Sequence, residues 1–526
     1  MTDSRADVLA LEPPDARVRC GRWLAFAVGV LPAVLFILLA FQTPVCLVRY
    51  LSDDAFYYFQ VAQNLAAGQG LTFDGLTRTT GFHPLYAMLL AWLGHLLSLT
   101  RNGIVVAAIL LNGACFYLTG LFLHRTAALL WGRPAAACAS LAWLSNPHAI
   151  LLVATGIEGS LYAACLSGLL WRLAAFSAAP PVSASAAWRG WIWLGAWGAL
   201  CAWARTDAIV VLLVLALYPA FSRSGPVGQR LVASGVLAAA ALGAGLAWSG
   251  YCWQATGRAL SGSADMKMLL RELASAGSPL WRQGLDALAI LATWIEKSAI
   301  KVPLFKYATV FLIGAVAGRG GFRNRTVPRL VVAALLAWLA LGCAYAVLLP
   351  RIWTWYYAPA LAIFALATAW AGHVAADALG DGTPRAARLR RWLVVALAMA
   401  AVESYGYLAV KGLRGRNRYQ THALATAEWM RNNLPPDAIV AAWNAGIYGF
   451  YSGRPVVNLD GLINDDVSGW LRSDRPIADY LRRLNVRYVV DDADADQRNW
   501  FHWNADDLPV VRRGTAGARS IVEIVD

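Results

Sequence analysis

The chain has 526 residues, 59% of them hydrophobic and only 14% charged, with a formal net charge of +14. That composition excludes an ordinary soluble globule, because apolar runs of roughly 20 residues, long enough to span a bilayer, recur along its length. The positive excess alone would suit nucleic acid, but the arginines concentrate in short loops between apolar segments, where the positive-inside bias puts them, and nucleic-acid binding is set aside.

Residues 1–22 read as a cytoplasmic tail carrying Arg5, Arg17, Arg19 and Arg22. The apolar stretch 23–42 that follows is taken as a retained first span, not a cleaved signal peptide, because it reaches spanning length and no small-residue cleavage pattern follows it. Basic clusters at 17–22, 223–230, 319–329 and 385–391 are placed in the cytoplasm and fix the parity of the crossings. Between 43 and 156 an even number of crossings is required, yet three apolar segments lie near 84–99, 103–122 and 135–155. Either one is a partial span or 126–155 crosses twice. Further spans are expected near 157–176, 189–204, 207–222, 229–250, 302–318, 330–349, 353–373 and 391–411, for a total of 11 or 13 across a membrane part running from 23 to 411.

The tail 412–526 changes character and falls outside. "AIVAAWNAGIYGFYSGRPVVNLDGLIND" and "YLRRLNVRYVVDDADAD" alternate short β-branched or aromatic runs with glycine turns, and "HALATAEWMRNNL" is a helical patch. The fold class is therefore an all-α polytopic membrane protein with a small C-terminal soluble α/β domain. The eight cysteines are scattered, none in this tail, and show neither a disulfide framework nor zinc spacing.

This topology gathers the unusual polar residues on the outer face. Asp53 and Asp54 follow the first span in an external loop at 43–84, with Gln63, Asn64 and His83 beyond them; Glu158, Arg205, Asp207 and Arg351 stand at other outer loop ends. Ionisable groups near a bilayer are costly, so several at one interface point to a site. Each also has a plainer reading. Ser52, Asp53 or Asp54 suits the cap of a surface-lying amphipathic helix from Ala55 to Ala67 that Gly68 and Gly70 would end. Glu158 and Asp207 suit N-caps, Arg205 and Arg351 snorkelling residues, and His83 before Pro84 a loop-to-helix boundary. The chemistry that fits the group as a whole is transfer at a membrane surface. One carboxylate takes a proton from an attacking hydroxyl, a second raises its basicity or holds a cation, arginine neutralises a departing phosphate, and Phe56, Tyr57, Tyr58 and Phe59 suit a site facing both lipid and sugar.

"DDAFYYFQVAQNLAAGQGLTFDG" followed by "TTGFHPLY" resembles the first external loop of the GT-C superfamily of integral-membrane glycosyltransferases, which take a sugar from a polyprenyl-phosphate carrier. "ATGIEGSLYAA" is similar to their second external loop, and "ARTDAIVVLLV" to the Arg-Pro-Asp or Arg-Pro-Glu turn that opens a later span, with Thr206 in place of the usual proline. "WNAGIYGFYSGRPVVNLDGLIND" resembles the external-domain motif of related bacterial proteins. Together the pieces cover nearly the whole chain, nearest to the arabinofuranosyl and mannosyl branches, although the histidine in "GFHPLY" is unusual for the arabinofuranosyl branch and leaves the sugar open.

The resemblance implies a GT-C fold in which Asp53 or Asp54, with Asp54 favoured, is the general base of an inverting transfer to a glycan, lipid or protein acceptor. It implies Arg205 and Arg351, with Lys301 and Lys306 after them, as donor-phosphate ligands. His83, Glu158, Asp207, Trp443, Asn444, Asp460 and Asn464 would bind substrate, with Gly461 and Asp465 beside them, although Gly-Asn-Asp clusters also form turns without any function. A divalent cation at the external carboxylates is allowed, without a visible ligand set. The location implied is a bacterial cytoplasmic membrane, with the C-terminal domain outside. The alternatives are a transporter or lipid flippase, disfavoured because the notable charges sit at loop ends and no internal repeat is evident, and a scaffold whose tail binds a partner.

Overall fold

The computed structural model describes residues 29–178, 183–222, 225–301, 329–378, 420–473, 475–491, 510–516 and 519–524, with a few single positions between them. Lys306 and the spans expected at 302–318 and 391–411 lie outside the described residues, as does the tail 1–22. In lipid every backbone N–H and C=O must be satisfied internally, so the apolar segments fold as helices. In chain order these are α1 (Gly29–Ala40), α2 (Pro44–Leu47), α3 (Asp53–Ala66), α4 (Pro84–Leu96), α5 (Arg101–Trp131), α6 (Arg133–Leu144) and α7 (Pro147–Ala154). Then follow α8 (Gly159–Ala178), α9 (Ala184–Ala204), α10 (Ala208–Phe221), α11 (Val227–Thr256), α12 (Gly262–Ser275), α13 (Leu280–Ile300), α14 (Arg329–Leu348) and α15 (Ala358–Ala378).

Among the described residues five helices are long and apolar enough to cross a membrane: α5, α8, α11, α14 and the stretch Thr354–Val374. The pair α6 and α7, bent by 50°, makes a sixth if it is one span. Its break is written locally. Asn146 accepts hydrogen bonds from the N–H groups of His148 and Ala149, capping α7, and Pro147 takes the first helical position, where its missing N–H costs nothing. The 13 residues of α4 extend only about 20 Å at 1.5 Å per residue. Of the three apolar segments between 43 and 156, α4 is thus the one too short to cross.

The C-terminal part contains α16 (Gln420–Asn433), β1 (Ile439–Ala442), α17 (Gly446–Ser452), β2 (Val456–Asn458), α18 (Asp466–Arg472), α19 (Ile477–Arg483), β3 (Val486–Asp491), β4 (Val510–Ala516) and β5 (Arg519–Ile524). The strands form one sheet in the order β2-β1-β3-β5-β4, in which β1 is parallel to β2 and β3, and β5 runs antiparallel to both β3 and β4. The parallel pairs need crossovers, which α17 and then α18 and α19 supply.

The helix expected to lie on the membrane surface, α3, is instead covered by protein. Ala55, Phe56, Tyr57, Tyr58 and Phe59 are all buried. Phe56 packs against Phe450 and Tyr451 of α17, and Tyr58 meets Tyr86 of α4 edge to face. Its end is as expected, at Gly68 and Gly70, both with φ +78°, where the left-handed backbone favours glycine.

A polar seam joins the segment 53–81 to the C-terminal part. The Asp465 carboxylate accepts from the N–H and hydroxyl of Thr80 at 2.7 and 2.6 Å, and Asn464 donates to Asp74 at 2.8 Å. Asn458 donates to the Tyr57 hydroxyl at 3.0 Å. Gly81 lies so close to the Leu462 carbonyl that a Cβ there would collide with backbone. Gly81→Ala is expected to cost about 1–3 kcal/mol, as overpacking does. Gly228→Ala, in open space at the start of α11, is expected to leave the thermal midpoint unchanged or slightly raised, a comparison that thermal unfolding in detergent measures.

Candidate active site

The adjacent carboxylates part company at the start of α3. Ser52 holds the N-cap position without a side-chain cap bond. Asp53 caps a different helix: its two oxygens accept the N–H groups of Gly446 and Ile447, each at 3.0 Å, at the head of α17. Burial pushes Asp53 up to about 8, against the pull of the Ile447 N–H, with Asp54 pushing further upward. Asp54 instead faces a cavity of about 170 Å3, walled also by Tyr57, Tyr58, His83, Glu158, Arg205, Lys267 and Tyr356. Burial raises its carboxyl to about 6; the Lys267 charge lowers it, while Asp460 and Glu158 add to the rise.

Arg205 binds the starts of α8 and α10 together. It is 2% exposed, and donates from Nη1 to Glu158 Oε1 at 2.6 Å, and from Nε and Nη2 to the two oxygens of Asp207 at 3.0 and 2.6 Å. Tyr345 of α14 donates its hydroxyl to Asp207 at 2.6 Å, and the Tyr356 ring lies 4.7 Å from the guanidinium. Burial works to raise Asp207, but Arg205 overrides it and brings the carboxyl to about 2. Asp207 holds the N-cap position of α10, as expected, but makes no side-chain cap bond there, and Glu158 likewise gives its carboxylate to the guanidinium. A planar fork satisfied by two carboxylates is what lets a charge of this size be buried.

His83 joins the same group. Its Nδ1 accepts the Thr206 N–H at 3.2 Å, so the ring proton of the neutral form sits on Nε2, 3.6 Å from Glu158 Oε1. Burial lowers this imidazole to about 4, which keeps it neutral at pH 7. Thr206, standing where the motif expects proline, supplies the N–H that proline lacks.

Lys267 faces Asp54 from α12, a helix to which the sequence reading gave no role. Met266 and Leu269 of α12 share a core with Trp443, Leu459 and Val467, while Asp265 is clasped by Arg258 and Arg472 at 2.6 and 2.9 Å. Those anchors point the intervening Lys267 into the cavity, 2.8 Å from the Ser263 hydroxyl and 5.6 Å from the Tyr356 ring. Burial works to lower its ammonium, but Tyr356 and Asp54 prevail and leave it raised. Nothing in "SADMKMLLRELAS" distinguishes this lysine from a solvated one; the signal present was the amphipathic pattern of a helix between two apolar segments. Tyr345 and Tyr356 were missed for a similar reason, being apolar-looking residues at span ends.

The other expected residues lie elsewhere. Arg351 is exposed, its guanidinium 4.5 Å from the Trp353 ring, and Lys301 is buried with its ammonium 4.3 Å from the Tyr357 ring; neither lines the cavity. Trp443 is in the core of the C-terminal part. Asn444 has φ +42° and donates its N–H to Asp460, which also receives the Leu462 N–H. Asn464 accepts from Asn458 and donates to Asp74. These three act in turns and in the seam, with Leu462 the member of that region that reaches the cavity wall. Among the described residues no three or more His, Cys, Asp and Glu are grouped so as to hold a metal ion.

A family profile described as a domain of unknown function (DUF8728) matches residues 411–521. No curated protein sequence matches the chain. Among solved structures, ArnT from Cupriavidus metallidurans bound to undecaprenyl phosphate is similar at 14% identity over 94% of this chain and 98% of that one, with a TM-score of 0.62. The Archaeoglobus fulgidus oligosaccharyltransferase in complex with zinc and sulfate is similar at 15% identity over 94% and 72%, TM-score 0.54. AglB from the same organism, in complex with an inhibitory peptide and a dolichol-phosphate, is similar at 13% identity over 95% and 74%, TM-score 0.55. The likeness shows that the chain shares the fold of these proteins.

Arg205→Met is expected to destabilise by about 3–5 kcal/mol, because Glu158 and Asp207 are left buried without their cation. Asp53→Ala is expected to cost about 1–2 kcal/mol through the lost cap on α17. Thermal midpoints of the two variants in one detergent check both the values and their order.

Proposed function

We propose that the chain is a membrane glycosyltransferase that moves a sugar from a polyprenyl-phosphate donor to a cell-envelope acceptor, on the outer face of a bacterial cytoplasmic membrane and with the C-terminal part outside. The observation that carries this reading is the opposition of Asp54 and Lys267 across one cavity, in a fold shared with ArnT and AglB. The Asp54 carboxylate takes the proton of the acceptor hydroxyl while that oxygen attacks the anomeric carbon. The bond from that carbon to the phosphate oxygen breaks, the configuration inverts, and the polyprenyl phosphate leaves with the bonding electrons. Lys267 meets the charge of the departing phosphate, aided by those Arg205 N–H groups not engaged by Glu158 and Asp207. A base whose carboxyl sits near 6 is ionised at neutral pH yet basic enough to accept the proton.

Asp53 serves in this reading as the neighbour that fixes the start of α3 against α17, leaving Asp54 to face substrate. A divalent cation would find Asp54 as the cavity carboxylate not engaged by Arg205, with Lys267 already beside it. No step is assigned to a metal.

Transfer measured in reconstituted membranes with a panel of polyprenyl-phosphate sugars tests the proposal. Asp54→Asn is expected to lower kcat by about 10²–10⁴, the usual worth of a general base, while Asp53→Asn keeps most of the activity. Full activity in Asp54→Asn would sink the assignment. Because the base works only when ionised, and its folded value lies above that of an ordinary carboxylate, transfer should rise about tenfold per unit up to roughly pH 6 and then level. Lys267→Gln removes a charge that holds Asp54 down, so it is expected to move this inflection to higher pH as well as to raise the donor KM.

A further inference from the structure

A second and larger cavity, of about 730 Å3, lies on the far part of α3. Asp54, Tyr57 and Tyr58 face the first cavity, whereas Gln60, Gln63 and Gln69 line the second together with His95, Arg101 and Arg454. Its size is that of a small-molecule site. Its walls come from α3, the turn between α4 and α5, and the stretch after α17, so the cavity exists only because the C-terminal part docks on the segment 53–81.

The charge inside is unbalanced. Arg101 donates to the Phe450 carbonyl at 2.7 Å, and Arg454 to the carbonyls of Arg431 and Leu434 at 2.9 and 2.7 Å. These bonds fix the guanidiniums without neutralising them, and neither forms an ion pair among the described residues. Arg431 stands near enough to Arg101 to repel it. Asp74, the carboxylate in the wall, is occupied by the N–H groups of Leu76 and Thr77, the Thr77 hydroxyl and the Asn464 amide. Two further polar atoms, Gln60 Oε1 and Arg454 Nε, are buried without a hydrogen-bond partner. Buried polar atoms left unpaired are costly, and like charges held together without a counter-ion more so; an anion bearing hydroxyls relieves both. Amides, which donate and accept at once, suit hydroxyl groups. Trp92, Leu96 and Leu97, each 59% exposed, lie at the end of α4, close in the chain to the lining residues His95 and Ser98.

We propose that this cavity binds a phosphorylated sugar or polyol, with Arg101 and Arg454 holding the phosphate and the glutamine amides the hydroxyls, as a site separate from the one that Asp54 faces. The phosphate belongs either to a lipid headgroup whose chains lie along Trp92, Leu96 and Leu97 or to a soluble glycan.

The test reads binding in full-length Asp54→Asn protein, which is impaired in transfer, so that binding and catalysis fail separately. The probes are glucose 6-phosphate, glucose and inorganic phosphate, added to protein in phosphatidylcholine nanodiscs with and without phosphatidylinositol. Glucose 6-phosphate is expected to bind saturably and at least tenfold more tightly than glucose or phosphate. Gln63→Glu, half-buried, and Gln69→Glu, exposed, each place a negative charge in the lining and should weaken binding tenfold or more at an unchanged thermal midpoint. Competition by phosphatidylinositol assigns the site to a lipid headgroup, and its absence to a soluble glycan. No saturable binding of glucose 6-phosphate and no effect of phosphatidylinositol, or binding unchanged in both glutamate variants, overturns the site. Binding without transfer in the wild-type protein would instead count against the catalytic reading alone.

Discussion

One buried guanidinium holds the ends of several helices together. Arg205 draws Glu158 from the start of α8 and Asp207 from the start of α10 into a single fork, and through Asp207 it reaches Tyr345 at the end of α14. Helix packing in a membrane lacks the hydrophobic driving force that organises soluble cores, so polar contacts of this kind fix how helix ends meet. His83, through Thr206 and Glu158, then ties the segment before α4 to the same point. The cavity that Asp54 faces is the space these loop ends enclose.

A second polar layer lies between the segment 53–81 and the C-terminal part. Asp53, Tyr57, Asp74 and Thr80 contribute from one side; Gly446, Asn458, Asn464 and Asp465 from the other. Residues that a motif comparison offers as substrate ligands, notably Asn464 and Asp460, spend their bonds on this joint and its turns. The joint positions Asp54 without adding a charge to the cavity, and it creates the arginine-bearing cavity on the far part of α3. Two sites of opposite design thus share one helix. One presents a carboxylate facing an ammonium, the other guanidiniums without a counter-ion.

The multi-pass membrane class and a small C-terminal part with both helices and strands were legible in the sequence, because apolar length and the alternation of short β-branched runs with glycine turns are properties of short segments. The helix stop at Gly68 and Gly70 was legible for the same reason, since a left-handed backbone favours glycine locally. The roles of Glu158 and Asp207 were not. Either residue reads as a helix cap on its own, and only the arrival of Arg205 from another loop turns them into an ion-paired clasp. Lys267 was hidden because a lysine on an amphipathic helix looks solvated until Met266 and Leu269 are seen anchored in the core beneath the C-terminal sheet.

By itself, then, the sequence determined what each segment is, whether apolar helix, turn or polar loop, since hydropathy, glycine and proline act over a few residues. Tertiary structure decided what each charged group does. Asp53 and Asp54 are adjacent in the chain and identical in type, yet one caps α17 and the other faces a cavity. The difference arises because a helix turns successive side chains by about 100°, so what each meets depends on which elements pack around α3.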